Sequence, residues 1–286
     1  QCTQCDVSLT YHQTQNQLRC HYCGYHIPMP ARCHACGMAT LNTKGVGTQQ
    51  IEEQVHQLFP EVTVGRMDWD STRGKWDFDK IIEAFDQERI QILVGTQMVV
   101  KGLDFKNVLL VGVINADHVL NFPDFRAHER SYQMLCQVAG RAGRSDQKGK
   151  VLIQTFQPDH PTLKQVLTHD YQGLFEVQKK ERQSYRYPPY YRMIRITFKS
   201  RQFETVNTAS QWFSNVVQQT YKGSVLGPAF PAVARVRNYY HKQLLVKIDH
   251  EMNAKAVKKL LNRTYVSFQA IAAFRSTRVN FDVDPF

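Results

Sequence analysis

The octet Gln137-Val138-Ala139-Gly140-Arg141-Ala142-Gly143-Arg144 places two arginines three residues apart among glycines and alanines. A guanidinium is planar, permanently charged and matches phosphate oxygens two at a time. On a helical turn Arg141 and Arg144 point the same way, and the small residues around them let the backbone approach a partner closely. Such a pair suits the terminal phosphate of a nucleotide, where charge develops during transfer. The competing reading is an ordinary helix end whose basic residues complement the dipole.

Cysteine supplies the second chemistry. Six of the seven cysteines fall in the first forty residues as three Cys-x-x-Cys pairs: Cys2/Cys5, Cys20/Cys23 and Cys33/Cys36. A Cys-x-x-Cys turn sets two thiolates on one side of a tight loop, as tetrahedral zinc requires. Cys2, Cys5, Cys20 and Cys23 have the spacing of a complete four-cysteine site. No secretory signal accompanies them to favour disulfides, and no βαβ pattern surrounds them to favour a redox motif. Cys33 and Cys36 need two further ligands. Tyr11, Arg19, Tyr22, Tyr25 and Arg32 interleave with the cysteines, and aromatic and cationic groups on a rigid knuckle suit bases and phosphates.

Hydrophobic periodicity predicts the elements that hold these groups. A Gly45–Thr48 turn opens a helix over 49–59; strands at 62–64, 90–94, 108–114 and 150–156 alternate with helices at 78–88 and 127–138. Alternation of this kind predicts an α/β doubly wound parallel sheet, with the apolar run 108–114 buried on both faces. Ligand residues then belong at the C-terminal ends of strands, where Thr96, Gln97 and Asp117 fall. Asp117 reads equally as a helix N-cap, and Cys136 as core. Residues 158–185 read as helical and polar. Tyr187-Pro188-Pro189-Tyr190 marks a boundary. Beyond it strands at 191–198, 232–236, 243–248 and 279–283 and helices at 204–220 and 253–262 give β-α-β-β-α-β, a ferredoxin-like order. The expected domains are therefore 1–41, cysteine-rich; 42–186, α/β; and 187–286, α+β.

The 286 residues carry a net charge of +11, and 42% are hydrophobic, enough for packed cores. No run of about eighteen apolar residues suggests a membrane span. Residues 180–286 hold 18 Lys and Arg against six Asp and Glu, whereas residues 1–179 hold 18 against 19. The last third therefore carries the whole excess, an electrostatic footprint for nucleic acid. Arg235, Arg237, Tyr239, Tyr240 and Lys242 lie on one expected hairpin and suit single strands or junctions.

The 137–144 octet matches motif VI of superfamily 2 helicases, Gln-x-x-Gly-Arg-x-x-Arg, at every fixed position, and residues 95–105 resemble motif V. With the cysteine pairs, the chain resembles the C-terminal part of the primosomal replication protein N′ family, the PriA helicases. That resemblance implies a RecA-like second helicase lobe with a zinc insert, in an ATP-dependent 3′→5′ DNA helicase of bacterial replication restart and primosome assembly. It implies catalytic roles for Arg141 and Arg144, nucleotide contacts by Gln137, Gly102 and Asp104, and a DNA-backbone contact by Thr96. It implies a module of four Cys-x-x-Cys pairs holding two zinc ions. The first pair is missing here, so one complete site is expected, with Cys33 and Cys36 separated from partners upstream of Gln1. It further implies ATP and Mg²⁺ in the intact protein, branched or single-stranded DNA, single-stranded-DNA-binding protein and primosome proteins as partners, a monomer, and a cytoplasmic, nucleoid-associated location. No Gly-x-x-x-x-Gly-Lys-[Ser/Thr] occurs, so the chain alone is expected to be inactive. The alternatives are a non-catalytic zinc-ribbon nucleic-acid binder and another superfamily 2 translocase with a zinc insert.

Overall fold

A computed structural model describes residues 1–12, 15–32, 36–39, 47–68, 71, 72, 74, 76–99, 105, 107–143 and 149–285. The chain divides into two compact units, residues 44–179 and residues 1–43 with 180–286.

In the 44–179 unit, α1 (Thr48–Leu58) precedes β4 (Val64–Met67), and α2 (Asp77–Asp86) leads to β5 (Ile92–Gly95), which pairs with β4 in parallel; the cysteine-rich segment holds β1 to β3. Met67 and Phe105 are buried there, against Phe78, Ile81, Ile82 and Phe85. A second parallel pair joins β6 (Leu110–Val113) to β7 (Lys150–Ile153) through α3 (Asp117–Leu120) and α4 (Ala127–Ala139). Leu120, Tyr132 and Leu135 form its core with Leu163 and Val166 of α5 (Pro161–Leu167) and Leu174 of α6 (Tyr171–Ser184). Two features differ from expectation. Among the described residues the strands form two separate parallel pairs rather than one sheet. The 108–114 run is also not buried on both faces: Val113 and Ile153 meet the helices, while Leu110 and Leu152 stand 57% and 63% exposed on a face shared with Lys150.

In the other unit the cysteine-rich segment folds as an antiparallel sheet of β1 (Thr10–His12), β2 (Gln17–Arg19) and β3 (His26–Pro28). The C-terminal segment runs β8 (Tyr191–Ser200), α7 (Phe203–Thr220), β9 (Ser224–Ala229), β10 (Arg235–Val236), β11 (Tyr239–Asp249), α8 (Ala254–Ala270) and β12 (Arg278–Val283). Its long strands lie in the order β9-β11-β8-β12, every neighbour antiparallel. Strict alternation explains its core. Ile194, Ile196 and Phe198 of β8 and Leu244, Val246 and Ile248 of β11 face Phe213 and Val217 of α7 and Leu261 and Phe268 of α8. The Phe198 ring meets Phe213 edge-on at 5.3 Å and Phe268 at 6.0 Å. Ring pairs of this kind contribute about 0.5–1.5 kcal/mol each beyond burial.

An unexpected strand, β9 at 224–229, pairs with β11, and of the expected 232–236 strand only Arg235 and Val236 form one, β10. Gly and Pro are depleted in strand interiors, but Pro228 is tolerated here because β9 is an edge strand paired only with β11. Gly227 is left-handed, at φ 97°, and a Cβ there would stand 2.6 Å from the Gln243 carbonyl oxygen, where the register with β11 shifts. Helix α8 also runs past the expected end at 262. Its first turn is capped by the Asn253 side chain, which accepts from the N–H groups of Lys255 and Ala256, and Thr264 and Phe268 extend its buried stripe.

Candidate metal centre, phosphate turn and nucleic-acid face

The sulfur atoms of Cys2, Cys5, Cys20 and Cys23 all lie within 4.8 Å of one another, and the first three side chains are buried. A tetrahedron with Zn–S bonds of about 2.3 Å has edges of about 3.8 Å, so the donor set has the size and chemistry of a four-thiolate zinc centre. Backbone N–H groups aim at the sulfurs: Gln4 at Cys2 (3.3 Å), Tyr25 at Cys23 (3.4 Å) and Arg237 at Cys5 (3.3 Å). Burial pushes Cys23 up to about 12. Burial acts the same way on Cys20, but the N–H groups of Cys23 and Tyr22 outweigh it and bring that thiol down to about 7. Cys36 is exposed next to left-handed Gly37, and Cys33 lies outside the described residues.

Helix α4 carries the phosphate-type motif at its end. Gln137 is exposed on its last turn, and Arg141, half-buried, follows one turn later. The chain leaves the helix through single-turn bonds, Arg141 N–H to the Val138 carbonyl at 3.1 Å and Ala142 N–H to the Ala139 carbonyl at 3.2 Å. Gly143, left-handed at φ 79°, donates its N–H to the Val108 carbonyl at 3.0 Å, which ties the turn to the chain entering β6. Arg144, Gly102 and Asp104 lie outside the described residues. Thr96 is exposed just beyond β5, its N–H bonded to the Met67 carbonyl at 3.3 Å. Asp117 opens α3 and accepts from the Thr155 hydroxyl and the Phe156 N–H, both at 2.9 Å, which holds its carboxyl below the usual range. It is tied to the end of β7 and serves structure there. Cys136 packs against the α4 core, where burial pushes its thiol up.

The hairpin residues do not share one edge, because successive strand residues point to opposite faces. Tyr240 stands edge-on to Phe203, and the Lys242 ammonium lies 4.7 Å over the Phe230 ring. Tyr239 is flanked instead by the guanidinium groups of Arg201 at 5.4 Å and Arg278 at 5.2 Å. Arg235 reaches Asp6 at 3.5 Å. The larger cationic surface lies on the face of the sheet away from the helices. An open groove of about 830 Å³ is lined there by Arg195, Thr197, Lys199, His241, Gln243 and Asn280, among others. Lys199 is the register partner of both His241 and Arg278, so one cross-strand row is basic throughout. The acid lining the groove, Asp282, is paired with Arg195 at 2.8 Å. Burial, and then the Lys199 charge, keep His241 below its ordinary value. Sequence reasoning passed over Arg195, Lys199 and Arg278 because they are scattered over two strands. The usable signal was the alternation of Arg195, Thr197 and Lys199 with Ile194, Ile196 and Phe198.

Residues 2–28 match the model of the PriA DNA helicase Cys-rich region, residues 43–146 that of the helicase conserved C-terminal domain, and residues 183–286 that of the primosomal protein N C-terminal domain. The chain is 35% identical over 288 residues to the replication restart protein PriA of Bacillus subtilis and 37% identical over 289 to that of Haemophilus influenzae. Both alignments take in all of this chain, and 35% and 39% of those relatives. The protein of that name from Synechocystis is 40% identical over 253 residues, 86% of this chain and 30% of the relative. The chain belongs to the PriA family. It spans about a third of the length of these curated PriA relatives. The PriA Cys-rich match takes in all four clustered cysteines and stops before Cys33 and Cys36, while the helicase match takes in Thr96 and the whole motif VI octet. Among the described residues no helix is long and apolar enough to cross a membrane.

Proposed function

We propose that this chain forms the second RecA-like lobe, the zinc module and the DNA anchor of an ATP-dependent 3′→5′ DNA helicase that restarts replication at stalled forks. The reading is supported by three features standing in one chain: a cysteine cluster of tetrahedral size, a Gln137–Arg141 turn behind an α4 core, and a basic antiparallel sheet. Zinc acts as a structural staple for a segment too small to bury a core of its own. ATP with Mg²⁺ supplies the phosphoryl group whose hydrolysis drives movement. Half-buried Arg141, on a turn relieved by Gly140 and Gly143, suits one wall of that site and presents fixed positive charge to the phosphates. Arg144 is its partner in the motif, Gln137, Gly102 and Asp104 contact the nucleotide, and Thr96 holds a strand phosphate.

The C-terminal segment is the static grip. Its strand order and antiparallel pairing support a ferredoxin-like domain, and its basic face and hairpin suit a branched or single-stranded DNA backbone. Single-stranded-DNA-binding protein and primosome proteins are the expected partners, with a monomer working in the bacterial cytoplasm at the nucleoid. The test is DNA-stimulated ATP hydrolysis by the intact protein that contains this chain. Substituting Arg141 should cut turnover by roughly 10³ if it acts as an arginine finger, and near-normal turnover would return it to a helix-end role.

A further inference from the structure

The Cys2/Cys5 and Cys20/Cys23 knuckles are built differently. In the second, Gly24 follows Cys23 in the left-handed conformation, at φ 80°, and turns the Tyr25 N–H onto the Cys23 sulfur. In the first, Asp6 occupies Gly24's position, and it is not among the left-handed residues. Its N–H goes to the Arg235 carbonyl at 2.9 Å instead, and Cys5 receives its donor from Arg237, 232 residues further along the chain. Two more ties fix the pairing. Asn238 donates its N–H to the Gln4 carbonyl at 2.8 Å, and the Arg235 guanidinium meets the Asp6 carboxylate. Val236 packs against the buried cysteines themselves. Arg237 and Asn238, at φ 52° and 60°, form the two-residue left-handed turn between β10 and β11 that aims the Arg237 N–H.

We propose that the Arg237–Asn238 turn is an outer-sphere part of the metal centre, so that metal occupancy and the conformation of the β10–β11 hairpin are coupled. A thiolate bound to zinc carries more negative charge than a thiol, so the Arg237 N–H···S bond strengthens when metal binds. Outer-shell donors of this kind fix ligand orientation, and their loss typically costs 10- to 100-fold in metal affinity. Coupling between binding equilibria is reciprocal, so a turn that favours zinc is in turn held by zinc. The consequence is local. Arg235, Arg237, Tyr239 and Tyr240 keep their arrangement only while the cysteine module is loaded, whereas the β8–β11 core beyond them is held by its own packing. This rests on the reading of the four cysteines as a zinc site.

Hydrogen exchange on the full chain, loaded with one zinc and then stripped with chelator, tests it. Amides 4–6 and 235–240 should lose protection together on stripping while amides 244–248 keep theirs; unchanged protection at 235–240 would overturn the coupling. Two variants give the reciprocal reading by competition with a chromophoric chelator. Asn238→Val puts a β-branched residue at a left-handed φ and should weaken zinc 10- to 100-fold. Arg237→Gly loses the charge but keeps the N–H and relieves the turn, and should bind at least as tightly as the parent. In the Co²⁺-loaded forms, the thiolate-to-metal charge-transfer band should move to lower energy in Asn238→Val only, since a sulfur that loses a donor gives up its electrons more readily. Equal affinity and equal spectra in both variants would overturn the proposal even if Asn238→Val is less stable. A chain that takes up no metal fails the zinc reading and the coupling with it, while one that binds zinc with an indifferent hairpin fails the coupling alone.

Discussion

Replacing Lys199 by Thr should stabilise the C-terminal domain and weaken its hold on DNA, an opposition that marks a charge kept for binding. Lys199 lies opposite Arg278 on one side and His241 on the other. Like charges directly opposite on neighbouring strands destabilise a sheet by about 0.2–1 kcal/mol. His241 is held below its ordinary value and is largely neutral at pH 7, so the Arg278 pair dominates and the substitution should gain a fraction of a kcal/mol. On DNA, one lost phosphate contact reduces the salt slope by about 0.7 for a single strand, which at 0.15 M salt is about a four-fold loss of affinity. Anisotropy titration of a labelled single-stranded oligonucleotide at several salt concentrations reads the slope, and thermal denaturation reads the stability. Acidification adds a second handle. A His whose folded value is depressed contributes stability above its unfolded value of about 6.5 that is lost as pH falls through the folded value. Lowering the pH should thus tighten DNA binding while weakening the domain, and His241→Gln should blunt both trends. A salt slope unchanged in a folded Lys199→Thr variant would refute the assignment of this face.

Cys5→Ser should abolish stoichiometric zinc, read by metal analysis of the freshly purified chain, because the site has one sulfur per tetrahedral position. Asp68→Asn should destabilise the 44–179 unit by about 1–3 kcal/mol in denaturant titration. Although burial opposes ionisation there, the Thr48 hydroxyl, the Ser71 N–H and the Arg66 charge hold the Asp68 carboxyl low. Its contribution is therefore present above about pH 4 and should fade as pH drops through the lowered folded value. Phe268→Ala removes a ring 1% exposed that contacts Phe198 and Phe213, and should cost about 3–5 kcal/mol, read as a fall in the C-terminal melting transition.

Much of this was legible in the sequence where a local pattern carries the information. Spacing gave the cysteine quartet, and the 3.6-residue period placed α4 and α7 within a residue or two. Strand β9 was missed because Gly227 and Pro228 are usual breakers, and only pairing with β11 makes them tolerable on an edge. The hairpin was legible as a run of basic and aromatic residues, but its alternation sends Tyr239 and Tyr240 to different neighbours. The docking of Arg235 and Arg237 on Asp6 and Cys5 had no local signal at all, since those partners lie about 230 residues apart and meet only through tertiary structure. A balance of Lys and Arg over acids located the cationic segment but not the cationic face, which needs the sheet register that brings Lys199 beside Arg278.

The central claim is that the turn after α4 faces a nucleotide. It is tested most directly by steady-state DNA-stimulated ATP hydrolysis in the intact protein carrying Arg141→Ala, with DNA binding and folding measured alongside. The account predicts a loss in kcat of roughly 10³ with DNA affinity and melting temperature close to the parent's. Turnover within a few-fold of the parent's in a folded, DNA-binding variant would contradict it.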